Sequence, residues 1–178
     1  MGSHASAEPV RVVLDCVRRI VRALRESSRE AERKVGISGA QLFVLQQLAA
    51  GPAESLSELS ERTLTHQSSV STVVQRLVEA GLVARSASRA DRRRTELRLT
   101  VRGRSVLRSA PPLAQERLIQ AVRRLPDGRR EQLASRLLEL VERMQLAAGA
   151  APMFFEERGA GRGRGAAPRT PRRANARR

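Results

Sequence analysis

Near the start of the chain, apolar residues recur at steps of three and four. Val10, Val13, Leu14, Val17, Ile20, Val21 and Leu24 form one stripe. That spacing marks an amphipathic helix and predicts one from about Pro9 to Lys34. Pro9 suits a first turn, where its missing N–H is no loss. Gly36 suits the C-cap. Ser38 predicts the N-cap of a second helix carrying Leu42, Phe43, Leu45 and Leu48, stopped by Gly51 and Pro52. Ser55 and Glu58 have capping-box spacing. They open a short helix with Leu56 and Leu59 inward, ending near Thr63. Thr65 predicts the cap of another helix, from about His66 to Ala80. Its inward face is Val70, Val73, Val74 and Leu77. Its outer face is Gln67, Ser68, Ser69, Ser71, Thr72, Gln75 and Arg76, and Gly81 is the stop.

The period then changes. Residues 82–85 and 95–100 read as two short strands, the second alternating with Leu97 and Leu99 on one face. A helical pattern resumes over 101–109 and breaks at Pro111 and Pro112. Leu113, Leu118, Ile119, Val122 and Leu125 carry it on. A turn at Pro126-Asp127-Gly128, with Asp127 as N-cap, leads to a last stripe of Leu133, Leu137, Leu140, Val141 and Met144. From 149 onward Gly, Ala, Pro and Arg predominate, which predicts a disordered basic tail. No internal repeat is present. The fold class expected is mainly α with a small β-hairpin wing: a winged helix-turn-helix flanked by N- and C-terminal dimerisation helices. The divisions are 1–8, a disordered start whose MGSH reads as a cloning remnant; 9–37, the first dimerisation helix; 38–100, the winged domain; 101–148, the helices completing the dimerisation region; and 149–178, the tail.

Charge sharpens this picture. The 178 residues carry a formal net charge of +16. Residues 1–84 contribute +1, 85–104 contribute +6, 105–157 contribute +1 and 158–178 contribute +8. The excess therefore sits in two short places on a balanced body, which suits a polyanion partner. Nucleic acid comes first and an anionic membrane surface second. All basic residues but Lys34 are arginine, the side chain suited to bidentate contacts with phosphate and guanine. Aromatic residues make up only 2%, so aliphatic packing must build the core. One cysteine, Cys16, excludes an internal disulfide. No apolar run is long enough to span a bilayer and no secretory signal is read. The expected location is the cytoplasm, beside the chromosome in a bacterium.

Two short helices followed by a charged hairpin give the candidate chemistry. A major groove admits the N-terminal turns of a helix, and small polar side chains allow close approach. Thr65, His66, Gln67, Ser68, Ser69, Ser71, Thr72 and Arg76 are the candidates there; the bland alternative is a solvated face. On the hairpin, Arg89, Asp91, Arg92, Arg93 and Arg94 are the candidates. The negative potential of the minor groove draws in arginine. Asp91, two residues before Arg93, can pair with it and pre-orient it, reducing the rotamer entropy lost on entry. Bracing the loop against self-repulsion is a second role for Asp91, and a solvated charged turn is the bland reading.

Several runs together resemble the MarR family of bacterial transcription regulators. They are Leu56-Ser-Glu-Leu-Ser-Glu-Arg-Thr63, Thr65-His-Gln-Ser-Ser-Val-Ser-Thr72, Leu77-Val-Glu-Ala-Gly-Leu82, Asp91-Arg-Arg93 and Leu97-Arg-Leu-Thr100. The resemblance covers about residues 9 to 147 and is most specific from Leu56 to Gly103. It implies a symmetric dimer joined by the first and last helices, with a recognition helix and a wing from each chain set on a palindromic operator. It also implies that Arg93 enters the minor groove and that a small aromatic or phenolic anion binds between the dimer helices and the winged domain. Phe43 and arginines of the first helix are candidate lining residues for that cleft. Leu64 stands where the turn of such proteins often has Gly. Some family members sense peroxide through a cysteine in the first helix; this chain has no Tyr to hold such a thiolate, and Cys16 reads better as a buried structural cysteine than as a redox switch. Two histidines and one cysteine cannot furnish a zinc site, so neither metal nor cofactor is expected. The reading is a sequence-specific regulator, most simply a repressor. Its rivals are a non-specific nucleoid-type DNA binder, a redox-sensing regulator, an enzyme for which no acid–base constellation is evident, and a membrane-surface adaptor.

Overall fold

The computed structural model describes residues 3–87, 95–146 and 151–154. Helix α1 spans Ser3–Val35, about 50 Å at 1.5 Å per residue. It starts six residues before the expected Pro9, so Pro9 lies inside it and the segment before Pro9 is helical rather than disordered from Ser3 on. Gly36 ends it at φ 72°, a left-handed conformation that suits a residue without Cβ. The next helix, α2 (Gly39–Ala49), begins at a full capping box: Ser38 Oγ accepts from Gln41 N, and Gln41 Oε1 accepts from Ser38 N.

Helix α2 is largely enclosed, with Leu42, Phe43, Val44, Leu45 and Leu48 buried and Gln41, Gln46 and Gln47 half-buried. A helix with that pattern belongs in the middle of a fold. It packs against α1, α3 (Leu56–Thr63), α4 (Gln67–Glu79), β2 (Thr95–Leu99) and α5 (Val101–Arg108). Phe43 is thus core, not the lining of a ligand cleft, which corrects the expectation. Ser28 Oγ accepts from Gly39 N at 3.2 Å, and a Cβ on Gly39 would meet that oxygen at 3.0 Å. Glycine there lets α1 and the head of α2 touch.

Strand β1 (Val83–Ala87) pairs antiparallel with β2, from Val83 opposite Leu99 to Ala87 opposite Thr95. Leu97 and Leu99 are buried, as their alternation predicts. A third piece of sheet was not foreseen: Ala53 exchanges two backbone hydrogen bonds with Leu97, at 3.0 and 2.7 Å. Thr100 then caps α5 through Gly103 N and donates its Oγ1 to the Gly81 carbonyl at 2.8 Å. Helices α6 (Ala114–Arg123) and α7 (Asp127–Arg143) follow. The N-cap of α7 is Pro126, and Asp127 is its first residue rather than its cap; its carboxylate pairs with Arg130.

Neither α6 nor α7 buries a residue. The stripe of α1 is likewise open: Val10, Val13, Leu14, Val17, Ile20 and Val21 are exposed, and only Leu24 reaches the core. Leu137, Leu140 and Val141 of α7 are also exposed. Cys16 is exposed as well, against the expected burial. It lies three residues from Val13 and four from Ile20, hence on the uncovered stripe. The tail departs from expectation at one point. Met153 is only 4% exposed and belongs to the core cluster, so residues 151–154 are not part of a free tail. Among the described residues no helix is long and apolar enough to cross a membrane.

Candidate nucleic-acid interface

Helices α3 and α4 meet across a turn whose pivot is Leu64. Ser55 caps α3 through Glu58 N at 3.0 Å. At its other end Leu64 takes φ 53° and ψ 43°. Left-handed backbone costs a non-glycine residue about 1–2 kcal/mol. The turn therefore keeps the geometry that glycine would favour, with a leucine that is 62% exposed. Leu64 N and Thr65 N donate to the carbonyls of Glu61 and Ser60, both at 3.1 Å.

The N-cap of α4 is His66, not Thr65, and its side chain makes no capping bond. Val70 N is the first amide bonded back into the helix, to His66 O. The amides ahead of it lie at the positive end of the helix dipole, a place suited to a phosphate oxygen. His66, Gln67, Ser68, Thr72 and Gln75 are exposed, while Thr65, Ser71 and Arg76 are half-buried. Ser69 is buried, a correction to the expected outer face. It precedes Val73 by four residues, which sets it on the core side of the helix. Val70, Val73, Val74 and Leu77 are buried as expected. Thr72 Oγ1 donates to Ser68 O at 3.2 Å, and Gln75 Nε2 to Glu79 at 3.1 Å.

The head of α4 and the hairpin face one space. Gln67, Arg85 and Leu97 line a common cleft of about 710 Å³ with the start of α3. Arg85 was missed as a candidate. The signal for it lay in the period of two: Arg85 stands opposite Leu97 and two residues from Val83, so it shares their face and emerges at the open end of the strand. The acidic side of the cleft is occupied by an internal bond. Glu58 accepts from Glu54 N at 2.7 Å and pairs with Arg62. The Glu54 amide first, and the Arg62 guanidinium with it, hold the Glu58 carboxyl below the ordinary 4.5, against a desolvation effect of opposite sign.

The remaining arginines divide by role. Arg62 donates to Gly51 O at 2.8 Å and Pro52 O at 2.9 Å. Arg98 pairs with the buried Glu96. Arg102 donates to Ala80 O at the end of α4, and Arg104 to Leu99 O, both at 3.0 Å. The positive excess over 85–104 is thus partly structural. The other hairpin candidates, Arg89, Asp91, Arg92, Arg93 and Arg94, lie outside the described residues, as does the arginine-rich stretch after 154. Among the described residues no group of three or more His, Cys, Asp or Glu is placed to hold a metal ion.

Residues 35–94 match the model of the MarR family. Over 74 residues the chain is 38% identical to the HTH-type transcriptional repressor MdtR of Bacillus subtilis (strain 168). That span is 42% of this chain and 48% of the repressor, so the chain spans about half the length of this curated relative. Two solved structures share the fold. Sco3205, a MarR family transcriptional regulator from Streptomyces coelicolor in complex with DNA, has a TM-score of 0.53 at 23% identity, over 79% of this chain and 90% of that one. The transcriptional regulator BldR from Sulfolobus solfataricus has a TM-score of 0.50 at 21% identity, over 76% and 96%.

Proposed function

We propose, from the match of residues 35–94 to the MarR family, that the chain is a homodimeric, DNA-binding transcription regulator of that family and not an enzyme. The observation that carries the proposal is the cleft shared by Gln67 and Arg85. The uncapped head of α4 and the root of the wing open toward the same side, as a helix in the major groove and a wing on the flanking backbone require. The exposed stripes of α1 and α7 support a dimer, since burying such surface is worth roughly 25 cal/mol per Å². Two-fold symmetry then sets two heads about one DNA turn apart, ~34 Å, on a palindromic operator.

In this reading Arg93 enters the minor groove and Asp91 aims it, with Arg89, Arg92 and Arg94 on the neighbouring phosphates. Repression is the simplest mode, with release by a small aromatic or phenolic anion. The arginines after 157 add counterion release. The test is to sequence DNA fragments that co-purify with the protein, then to compete the recovered site against random duplex. A preference of 10³ or more is expected of a specific regulator. A ratio near unity supports the nucleoid-type binder instead.

A further inference from the structure

Several arginines of α1, α3 and α7 have a carboxylate one turn away on their own helix. Arg19 pairs with Asp15, Arg22 with Glu26, Arg62 with Glu58, and Arg136 and Arg143 share Glu139. Helix α5 is built otherwise: Val101–Arg108 carries Arg102, Arg104 and Arg108 and no acid. Arg104 and Arg108 stand four residues apart on one face, where like charges repel. Together with Arg98 of β2 they line a cleft of about 600 Å³, within the size range of small-molecule sites. Among the described residues no carboxylate lines it. The cleft at Gln67 and Arg85 has Glu54 and Glu58 in its wall, and the one beside Arg117 and Arg124 has Glu116. The floor of the arginine cleft is aliphatic. Leu48 and Leu99 are buried there, and the half-buried Leu107 packs on the core.

We propose that this cleft is a binding site for a small aliphatic anion, a phosphate or carboxylate head on a short alkyl body. Donors remain for the head. Arg98 commits Nε and Nη2 to Glu96, and Arg104 commits Nη1 to Leu99 O. Arg108 has no ion pair or side-chain hydrogen bond among the described residues. A guanidinium holds such a head through two parallel N–H donors, and an anion between Arg104 and Arg108 relieves their repulsion. The leucine floor receives the alkyl body, which gains by leaving water. The site shares no lining residue with the Gln67 and Arg85 cleft. No residue of α1, α6 or α7 lines it, so it is also distinct from an effector cleft at the dimer helices. The proposal does not depend on the DNA-binding reading.

The test is a titration of the full chain with octyl phosphate, followed by NMR of the leucine methyl groups. The methyls of Leu99 and Leu107 should shift and saturate. Inorganic phosphate, the head alone, should bind about tenfold more weakly or worse, and octyltrimethylammonium, the same body with opposite charge, should give no saturable shift there. Arg108→Gln should weaken octyl phosphate about tenfold, as the loss of a charge-assisted hydrogen bond does. Arg108→Lys should weaken it less, and Arg117→Gln, which removes one charge from α6, should leave it unchanged. Inorganic phosphate binding as tightly as octyl phosphate overturns the site, since the floor is then unused. So does an equal loss in Arg117→Gln, which would reduce the effect to net charge, or a shift confined to Leu56 in the Gln67 and Arg85 cleft. A tenfold loss of duplex affinity in Arg108→Gln would make the cleft a nucleic-acid surface and overturn it too. If octyl phosphate binds as expected but the protein takes up no duplex, the regulator reading fails and the anion site stands.

Discussion

Gln67, at the head of α4, and Arg85, on β1, line one cleft. An arginine so placed meets a phosphate rather than a base edge when α4 sits in a major groove. Arg85→Ala should therefore weaken binding to all duplexes alike. It should also reduce the slope of log K against log salt by about 0.9, the contribution of one phosphate contact. Anisotropy titrations over a range of salt give the slope, and an unaltered slope places Arg85 off the DNA.

Arg93→Ala should behave differently. A specific contact of one good arginine is worth about 1–3 kcal/mol, and its loss should relax discrimination as well as affinity. Asp91→Ala should cost less, because the arginine remains. Tighter binding by Asp91→Ala would mean that net charge outweighs orientation.

Exposed Val17 and Ile20 on α1 and Leu137 on α7 should be covered in solution by a second copy. Val17→Glu combined with Leu137→Glu should shift the molar mass in light scattering from dimer to monomer, with α-helical circular dichroism largely retained. A parent protein that is already monomeric would remove the two-headed mode of binding.

Gly103 admits no side chain. A Cβ there would lie 2.2 Å from the Leu82 carbonyl oxygen, which belongs to the backbone and has little room to yield. Gly103→Ala should destabilise the fold by about 1–3 kcal/mol, as overpacking does. Urea unfolding measures it, and a neutral result would mean that α5 shifts freely away from the sheet.

Glu58 links stability to pH. Its carboxyl is held below 4.5 by the Glu54 amide and by Arg62. The stabilisation is therefore complete above the unfolded value and disappears as pH falls through the folded one. Glu58→Gln should be less stable than the parent at pH 7, and the gap should close on acidification below about 4. A gap that persists at low pH would assign the loss to the amide's altered hydrogen bonds.

Much of this was legible in residue order, and the misses share physical causes. The caps at Ser38 and Ser55, the inward valines of α4 and the alternation of Leu97 and Leu99 are local, and local chemistry suffices to read them. Ser69 was set on the wrong face because a small polar residue says little about burial; its spacing from Val73 was the better guide. His66 stands as cap in place of Thr65, two residues after the left-handed Leu64, and where a turn ends is not fixed by the capping preference of one residue. Ala53 in the sheet and Met153 in the core depend on partners far along the chain, which periodicity does not reveal. The division of the arginines was hidden for the same reason: Arg102 and Arg104 take their roles from where the carbonyls of Ala80 and Leu99 fall in the fold.

Arg62 has a consequence beyond its own helix. It straps α3 to the carbonyls of Gly51 and Pro52, and the next residue, Ala53, is stitched to Leu97. Thr100 then joins the far end of that strand to Gly81, just past α4. The path closes on itself through the turn, so helix and wing form a caliper with a fixed jaw. If the chain binds DNA as a dimer, accommodation to a duplex must then come from tilting one whole caliper against its twin, or from bending the DNA.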